Sequence, residues 1–314
     1  MIVVTGAAGF IGSNLVRALN ARGRADLLLV DDLTNGRKFA NLVDCDFEDY
    51  LDKEVFFARV AGGRLDGQVE AVLHQGACSD TTEWNGRVML GDNYEASKTL
   101  FKFATERGIP LVYASSAAVY GMGPEFREDP ECERPLNLYG WSKLLFDRWV
   151  RHRSRELRSQ VVGLRYFNVY GPRESHKGEM ASVAWKHHLQ LRDGDAVRLF
   201  EGSEGFAPGE QRRDFVYVGD VSAVNLWFLD HPEVSGIYNV GTGRAQTFND
   251  VARAVIAHHG RGRIEYVPFP EILRGSYQSF TEASLTKLRE AGCDTPFLSV
   301  EAGVSRYLKE IQRS

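Results

Sequence analysis

The chain has 314 residues, of which 43% are hydrophobic and 25% charged, and its formal net charge is −4. This composition is that of a folded globular protein, and the charge gives no reason to expect binding to nucleic acid or to an anionic membrane. No apolar run reaches the roughly 18 residues of a membrane span, and no basic region precedes the apolar N-terminus, so we expect a cytoplasmic protein without a signal peptide. The four cysteines form no CxxC pair, which predicts reduced thiols and no metal site.

Short apolar runs alternate with amphipathic segments in the first half of the chain. The apolar runs predict strands at residues 2–6, 26–32, 69–77, 109–116 and 159–171. Between them, segments such as 11–23 and 95–108 have the apolar spacing of helices. This alternation predicts an α/β fold, a Rossmann-like doubly wound parallel sheet, in which ligands bind at the carboxyl ends of the strands.

The pattern changes after about residue 170, where loops rich in Gly, Pro, Arg and Glu appear. Sheet-like segments return at 214–220 and 236–243. We therefore predict two domains. A Rossmann domain would comprise 1–167 plus about 214–240, and a smaller, discontinuous α/β substrate-binding domain would comprise about 168–213 plus 241–314.

The first predicted strand is followed by a glycine-rich turn, TGAAGFIGS. It places Gly6, Gly9 and Gly12 at three-residue intervals before the first helix. Glycine permits a sharp turn and a close approach of the backbone to a pyrophosphate, which the helix N-terminus stabilises. The GxxGxxG spacing differs from the usual GxGxxG, but its position at the head of a βαβ unit predicts a dinucleotide site.

The end of the second predicted strand carries charges of both signs. Asp31 and Asp32 lie where an acid binds the adenosine ribose in NAD enzymes. Arg37 and Lys38 follow, and two cations there could instead hold the 2′-phosphate of NADP. A solvated charged loop is a third interpretation, so these residues leave NAD and NADP open.

The segment LYGWSK supplies Tyr139 and Lys143 at the i, i+4 spacing that puts both side chains on one helix face. A phenol with a pKa of about 10 is a poor base at neutral pH. The neighbouring ammonium and a positively charged nicotinamide would lower the pKa of Tyr139, which makes the pair a general acid–base for an alcohol or ketone. Ser116, at the end of a strand, can hydrogen-bond the reacting oxygen, and Ser115 is the less favoured neighbour.

Six motifs in order resemble the extended short-chain dehydrogenase/reductase family almost from end to end: TGxxGxxG, SSAAVYG, YxxxK, FNVYGPR, RDFVYVGDV and YNVGTG. That family contains nucleotide-sugar epimerases, dehydratases and decarboxylases. Its sugar 4,6-dehydratases carry an Asp-Glu pair beside the catalytic Ser or Thr, where this chain has Ala117 and Ala118. The resemblance therefore implies an NAD(P)-dependent isomerase and argues against a dehydratase.

Four further stretches resemble the branch of the family that inverts C6 of an ADP-linked heptose. They are HQGACSDTTEWNG (74–86), GPRESHKGEMAS (171–182), FEGSEGF (200–206) and GSYQSFT (275–281). The implied reaction oxidises C6 of ADP-D-glycero-β-D-manno-heptose to a ketone and re-reduces it on the opposite face, for lipopolysaccharide core biosynthesis. A UDP-hexose 4-epimerase is the alternative. A catalytically silent NAD(P)-binding module is less favoured, because Ser116, Tyr139 and Lys143 are all present.

In this branch a proton must leave and return on opposite sides of the site, which two bases serve better than one. Tyr139 would be the first base. Lys177 lies where the branch has its second acid–base residue, and a lysine can act as a base where burial or a nearby cation lowers its pKa. Without the resemblance, Lys177 would be interpreted as a solvent-exposed loop lysine.

The resemblance also implies a tightly held NADP in each subunit, with NAD as the alternative. Besides the three glycines, the implied cofactor contacts are Phe10, Ile11, Asp31, Asp32, Lys38, Lys53, Gln75, Gly76, Ala77, Cys78, Ser79, Asn93, Lys143, Val169 and Lys177. The implied substrate contacts are Asn168, Glu179, Lys186, Phe200, Glu201, Gly202, Ser203, Arg213 and Tyr277. Of these, Arg213 would bind the diphosphate through charge-assisted hydrogen bonds.

The chain departs from the branch pattern at several positions. Glu179 stands where Ser is expected and Lys186 where His is expected, and four residues of APGEQ form an insertion before Arg213. These changes affect substrate contacts and leave the reaction type unchanged. Asp32 stands where relatives have Asn, and its charge makes a 2′-phosphate less favourable. The resemblance finally implies a homo-oligomer, a pentamer.

Overall fold

The computed structural model describes residues 1–65, 68–154, 157–271 and 277–312. Its strands are β1 (Ile2–Thr5), β2 (Leu27–Asp31), β3 (Asp49–Asp52), β4 (Ala71–His74), β5 (Leu111–Ser116), β6 (Val161–Tyr166), β7 (Asn168–Tyr170), β8 (Ala196–Phe200), β9 (Arg212–Arg213), β10 (Phe215–Tyr217), β11 (Gly236–Val240), β12 (Gln246–Thr247) and β13 (Arg263–Val267). Its α-helices are α1 (Phe10–Ala21), α2 (Lys53–Ala61), α3 (Gly86–Leu90), α4 (Ala96–Arg107), α5 (Leu138–Arg151), α6 (Val183–Asp193), α7 (Val218–Asp230), α8 (Phe248–His259), α9 (Thr286–Glu290) and α10 (Val300–Ile311). None of these described helices is long and apolar enough to cross a membrane.

Seven of the strands form one parallel sheet, in the order β11–β6–β5–β4–β1–β2–β3. Apart from the edge strand β3, their residues are mostly buried, as expected for a parallel sheet covered on both faces. Apolar side chains of α1 and α7 pack on one face, and those of α2, α4 and α5 pack on the other. The predicted Rossmann-like, doubly wound parallel sheet is therefore confirmed.

The strand order reverses between β1 and β4, because β2 lies on the other side of β1. In doubly wound sheets the crevice outside the carboxyl ends of the strands at such a switch point is the usual ligand site. Here β1 ends at Thr5 and β4 ends at His74. The glycine turn and the segment 75–79 follow these two ends, so the fold places both at the crevice.

Three small two-stranded sheets lie outside the central sheet. The strands β7 and β10 pair in parallel, β8 and β13 also pair in parallel, and β9 and β12 pair antiparallel. Helices α6, α8 and α10 contribute buried residues such as Leu191, Val255 and Leu308 to one further hydrophobic cluster. Of the two strands in the predicted segment 214–240 of the Rossmann domain, β11 belongs to the central sheet, whereas β10 pairs with β7 of the predicted substrate domain. The two-domain division stays a prediction.

Two predicted strands differ from the observed ones at the point where the chain leaves the central sheet. The predicted strand at 159–171 is two strands, because the Phe167 N–H donates to Val240 O (3.0 Å) whereas the Asn168 N–H donates to Asp214 O (3.0 Å) in another sheet. The predicted strand at 214–220 is only three residues long, because helix α7 begins at Val218. Strand β3 was not predicted, because its residues DYLD include two charged side chains and form no apolar run.

Candidate active site

The glycine turn after β1 brings backbone segments so close together that no side chain fits between them. Gly6 has a φ of +66°, and a Cβ atom there would lie 2.6 Å from the backbone nitrogen of Gly76. A Cβ atom on Gly12 would lie 2.1 Å from the carbonyl oxygen of Gly6. The turn thus presents bare backbone at the N-terminus of α1, an arrangement that fits a pyrophosphate.

Two adjoining cavities follow the carboxyl ends of the central strands. The first cavity, of about 590 Å³, is lined by Asp32 and Lys53 among others. The main cavity, of about 810 Å³, extends from the glycine turn to Tyr139 and Lys177. Both cavities are lined by Gly6, Asp31, Lys38, Gly76 and Ala77.

Each aspartate at the end of β2 has a lysine partner. The Lys38 ammonium lies 2.5 Å from Asp31 Oδ1, and Asp31 Oδ2 accepts a hydrogen bond from the Ala8 N–H at 2.7 Å. The Lys53 ammonium lies 3.0 Å from Asp32 Oδ2. Hydrogen bonds from Thr34, and then the Lys53 ammonium, hold the pKa of Asp32 below its usual range. The rim therefore combines two carboxylates with two cations, each carboxylate paired with one lysine.

The segment 75–79 forms the wall shared by the two cavities, and buried polar groups hold it from behind. The Cys78 N–H donates to Asn93 Oδ1 at 2.8 Å, and Asn93 Nδ2 donates to Cys78 O at 2.9 Å. The Gly76 N–H donates to the Thr5 hydroxyl at 3.1 Å. Asn93 lines neither cavity and supports the wall from behind, and its place among the cofactor contacts stays a prediction.

Helix α5 carries Tyr139 and Lys143 into the main cavity, beside the end of β5. The helix starts close to the turn after β5, because Gly140 has no side chain: a Cβ atom there would lie 2.6 Å from Ala118 O. Both side chains line the main cavity together with Ser116. The Ser115 hydroxyl donates to Asp147 at 2.9 Å, which leaves Ser116 as the serine paired with Tyr139.

Burial controls the ionisation of the Tyr–Lys pair. It lowers the pKa of Lys143 to about 8, opposed by the charge of Asp147, while Lys143 Nζ donates to Ala114 O at 2.9 Å. Burial also raises the pKa of Tyr139, and a hydrogen bond with Ser116 opposes this change. In the protein alone, desolvation of the phenolate is the largest effect on Tyr139. The expectation that Lys143 and a bound nicotinamide together lower the pKa of Tyr139 stays a prediction for the complex with the cofactor.

Lys177 reaches the same cavity from a different segment, the 3₁₀ turn Ser175–Met180. Its ammonium lies 5.2 Å from the centre of the Phe10 ring. Burial lowers the pKa of Lys177, and the carboxylate of Glu174 opposes this change. Gly178, next in the chain, has a φ of +53°, a conformation that favours glycine. A lysine that titrates nearer neutrality than usual therefore shares the cavity with Tyr139.

Arg213 is a buried cation in the wall of the main cavity, 5% exposed, and it forms no ion pair with any described residue. Its guanidinium lies 4.9 Å from the Tyr277 ring centre and 5.8 Å from that of Phe248. Burial lowers the pKa of Arg213 to about 10. A buried guanidinium without a carboxylate is suited to an anionic ligand such as a diphosphate.

Several predicted substrate contacts do not reach the described cavity walls. Of the predicted set, Asn168, Arg213 and Tyr277 line the main cavity, and six others do not: Glu179, Lys186, Phe200, Glu201, Gly202 and Ser203. The Glu179 side chain is 93% exposed and pairs with Lys186 at 3.2 Å. Phe200 packs on Phe269, which packs on Tyr277, so Phe200 contacts the cavity wall through one intermediate ring. Residues 275 and 276 of the GSYQSFT stretch lie outside the described residues.

The remaining predicted cofactor contacts lie along the two cavities. The main cavity is lined by Gly9, Phe10, Ile11, Gln75, Ser79 and Val169, and the first cavity by Cys78. Thr81, Met180 and Ser182, which the sequence did not single out, also line the main cavity. Thr81 lies in the stretch 74–86, and Met180 and Ser182 lie in the stretch 171–182. Both stretches resemble the ADP-heptose branch, and this resemblance was the sequence feature that could have indicated the three residues. Thr81 Oγ1 lies 3.8 Å from Met180 Sδ, so these two stretches meet at the cavity.

A buried charge network, also missed from the sequence, supports the predicted catalytic residues from behind. Arg165 on β6 is fully buried and contacts Asp147 at 2.9 Å as well as Glu133. Asp147, on α5, accepts hydrogen bonds from Ser115 at 2.9 Å and from Tyr113 at 3.0 Å. The signal was the single arginine in the otherwise apolar strand VVGLRY. The network joins α5 to β5 and so fixes Tyr139 relative to Ser116.

Comparison with known proteins agrees with this geometry. The profile of the NAD dependent epimerase/dehydratase family matches residues 2–241. The chain belongs to this family. Its cofactor is therefore a nicotinamide dinucleotide, and the bare backbone of the glycine turn fits its pyrophosphate.

Individual family members resemble the whole chain. An ADP-L-glycero-D-manno-heptose-6-epimerase of Alkalilimnicola ehrlichii is 60% identical over 311 residues, which are 99% of this chain and 97% of the relative. The crystal structure of the Helicobacter pylori ADP-L-glycero-D-manno-heptose-6-epimerase matches with a TM-score of 0.85 and 30% identity, over 100% of this chain and 96% of that one. A Thermus thermophilus UDP-glucose 4-epimerase in complex with NAD matches with a TM-score of 0.80 and 28% identity, over 99% and 98% of the two chains.

Proposed function

We propose that this chain is an ADP-heptose 6-epimerase that interconverts ADP-D-glycero-β-D-manno-heptose and ADP-L-glycero-β-D-manno-heptose. The observation that carries the proposal is that Tyr139 and Lys177, on separate elements, line one cavity. Two proton-transfer groups on different elements suit a reaction in which a ketone is formed on one face and reduced on the other. The choice of sugar is supported by the 60% identity to the Alkalilimnicola ehrlichii enzyme.

The residues of this chain have separate tasks in the reaction. When bound, the nicotinamide cofactor supplies the oxidant that takes hydride from C6 and the reductant that returns it. Ser116 hydrogen-bonds the reacting oxygen. Tyr139, whose phenolate would be favoured by the positive charges of Lys143 and of the bound nicotinamide, accepts the proton that leaves the C6 hydroxyl. After the ketone has turned its other face, Lys177 donates a proton to the same oxygen as the alcohol reforms. Proton exchange with water then restores both groups, and Arg213 holds the diphosphate throughout.

The preferred cofactor is proposed to be NADP, with NAD as an accepted alternative. Lys38 and Lys53 are the cations that would attract a 2′-phosphate at the first cavity, and their partners are Asp31 and Asp32. Because each lysine already neutralises one carboxylate, the aspartates do not exclude the phosphate by charge alone. The same aspartates can accept hydrogen bonds from the ribose hydroxyls of NAD.

A substrate panel tests the assignment of the sugar. The purified protein is incubated with ADP-D-glycero-β-D-manno-heptose, UDP-glucose and UDP-galactose in separate reactions, and the epimer ratio is followed by NMR. We expect turnover of the ADP-heptose. Turnover of the UDP-hexoses alone would instead assign the chain to the activity named for its Thermus thermophilus relative.

The replacement Lys177→Met tests the two-base arrangement. Because a positioned general acid–base contributes roughly 10²–10⁴-fold, we expect kcat to fall by about that factor. Cofactor binding, measured by titration, should persist. The exposed lysine Lys102 on α4 provides the matched control, since Lys102→Met removes the same charge far from the cavity lining. A kcat near that of wild type in Lys177→Met would remove Lys177 from the mechanism.

The cellular and oligomeric expectations stay predictions. We propose that the enzyme works in the cytoplasm as a homo-oligomer, a pentamer, and that neither nucleic acid nor membrane is a partner. Light scattering of the purified protein measures the oligomeric state directly. A monomer at working concentration would contradict this part of the proposal.

A further inference from the structure

Glu174 is a fully buried carboxylate in the segment that carries Lys177. Its exposed fraction is 0%. One oxygen, Oε1, accepts hydrogen bonds from the Ser182 hydroxyl at 2.7 Å and from the Gly171 N–H at 3.3 Å. The other, Oε2, accepts from the Ser182 N–H at 2.5 Å. These hydrogen bonds offset the desolvation of the buried carboxylate.

These hydrogen bonds close the segment 171–182 into a loop. Gly171 lies at its start, where a Cβ atom would lie 2.5 Å from Val218 Cγ1, so the backbone there is in direct contact with α7. Ser182 lies at its end and caps α6, because its hydroxyl accepts a hydrogen bond from the Trp185 N–H. One side chain thus joins the two ends of the segment.

Lys177 lies between the two ends. Its backbone N–H donates to the backbone carbonyl oxygen of Glu174 at 3.0 Å. Glu174 therefore also holds the backbone at Lys177 in place. Its ammonium faces the ring of Phe10 and forms no ion pair with any described residue. Contact with that ring and the charge of a nearby carboxylate act on the ammonium in the same direction, because both favour the charged form.

Two further titratable side chains lie near Glu174 and Lys177. His176, in the same segment, is affected by the charges of both Lys38 and Lys177. Tyr307, on α10, hydrogen-bonds to Glu174 and feels its charge. Glu174 is the described carboxylate whose charge opposes the effect of burial on Lys177. Removing that charge should therefore lower the pKa of Lys177 without changing the covalent structure around it.

We propose that Glu174 is the positioning residue for the second acid–base group. Its carboxylate closes the segment 171–182 and keeps a negative charge near Lys177, so that Lys177 is held in place and retains a proton to donate. The proposal rests on the proposed function for the role of Lys177 in catalysis. The position of the segment and the charge near Lys177 are independent of the identity of the sugar.

The variant Glu174→Gln separates the charge from the shape. The amide keeps the length of the side chain; its oxygen can still accept from the Ser182 N–H, and its NH₂ can donate to the Ser182 hydroxyl, while the longer hydrogen bond from the Gly171 N–H is lost. The matched control is Ser182→Ala, which removes the hydrogen bond from the Ser182 hydroxyl to Glu174 and the N-cap of α6 but leaves the carboxylate charge. A third variant, Glu174→Asp, keeps the charge and shortens the reach.

The experiment measures the pKa of Lys177 directly. Each variant is labelled with limiting acetic anhydride across a range of pH, and modification of the Lys177 peptide is quantified by mass spectrometry. Since a nearby opposite charge moves a pKa by roughly one to three units, we expect Glu174→Gln to lower the pKa of Lys177 by about one unit. Ser182→Ala should leave that pKa near the wild-type value. The corresponding limb of the pH profile of kcat should move to lower pH in Glu174→Gln, in both directions of the reaction.

The outcomes distinguish the possible failures. An unchanged pKa of Lys177 in Glu174→Gln, or an equal shift in Ser182→Ala, would overturn the electrostatic role. If Glu174→Gln does not fold, Glu174→Asp decides: we expect lower kcat with the pKa of Lys177 preserved, and unchanged kcat would overturn the positioning role. If the wild-type protein does not act on the heptose, the proposed function fails, but the labelling result still decides whether Glu174 raises the pKa of Lys177.

Discussion

Replacing Arg213 with methionine should stabilise the protein while weakening its affinity for a diphosphate. Burial lowers the pKa of Arg213 to about 10, against an ordinary value of about 12.5, and each pKa unit corresponds to about 1.4 kcal/mol. The charge therefore costs the folded protein about 3 kcal/mol. Methionine fills the space without that cost, but it loses the cation–π contacts with Tyr277 and Phe248, which are worth about 1–2 kcal/mol together.

The two effects have opposite signs and need two assays. The free energy of unfolding from urea titration should rise by about 1–2 kcal/mol in Arg213→Met, which is the difference between the two terms. A hydrogen bond to a charged group is worth about 1.5–3 kcal/mol, so the Kd for ADP from calorimetry should rise by roughly 10–150-fold. A residue kept at the expense of stability is expected where it binds a ligand.

The neighbouring Arg212 provides the control, because it lies on the same strand β9 with its side chain exposed. The variant Arg212→Met should change neither the free energy of unfolding nor the Kd for ADP appreciably. A variant Arg213→Met that unfolds more easily and binds ADP as wild type would refute the reasoning, since Arg213 would then be a structural residue.

Three further predictions concern other charged groups. Arg165→Met should lower the free energy of unfolding by about 3–5 kcal/mol, because it leaves the buried Asp147 and Glu133 without this partner; urea titration of wild type and variant measures it, and a loss below about 1 kcal/mol would contradict it. Because the pKa of Lys143 is lowered to about 8 in the folded protein and is about 10.4 when unfolded, its burial penalty is complete below pH 8 and disappears as the pH rises between these values. The stability difference between Lys143→Met and wild type should therefore shrink by up to about 3 kcal/mol across that window in urea titrations, and a constant difference would contradict the shifted pKa. Lys38→Met should weaken NADP binding about tenfold or more relative to NAD, as expected from losing a charge-assisted contact; equal losses for both cofactors, by calorimetry, would place the 2′-phosphate elsewhere.

The features predictable from the sequence are those that arise from local patterns. The spacing of Gly6, Gly9 and Gly12 after an apolar run indicates a strand, a turn and a helix, because only a residue without a side chain fits this turn. The i, i+4 spacing of Tyr139 and Lys143 likewise determines that they share a face once α5 forms. Such patterns depend on backbone geometry within a few residues, which is why the fold and this pair were predictable.

The features that were not predictable depend on contacts between distant segments. The roles of Glu174 and Asp147 rest on which groups surround each carboxylate after folding, and the raised pKa of Tyr139 results from its burial. The resemblance places Phe200 and Glu179 among the substrate contacts, whereas neither residue lines the described cavity walls; both contacts stay predictions. Residue matching transfers a position along the chain, whereas lining a cavity also depends on how the loops pack.

The most direct test of the account is the fate of the hydrogen on C6 during turnover. Wild-type protein is mixed with ADP-D-glycero-β-D-manno-heptose in D₂O, and C6 is followed by NMR while nicotinamide absorbance is recorded. We expect a mixture of both C6 epimers that keep ordinary hydrogen at C6, without accumulation of reduced cofactor, because hydride leaves and returns within one site. Deuterium at C6, or steady accumulation of reduced cofactor with released ketone, would contradict it.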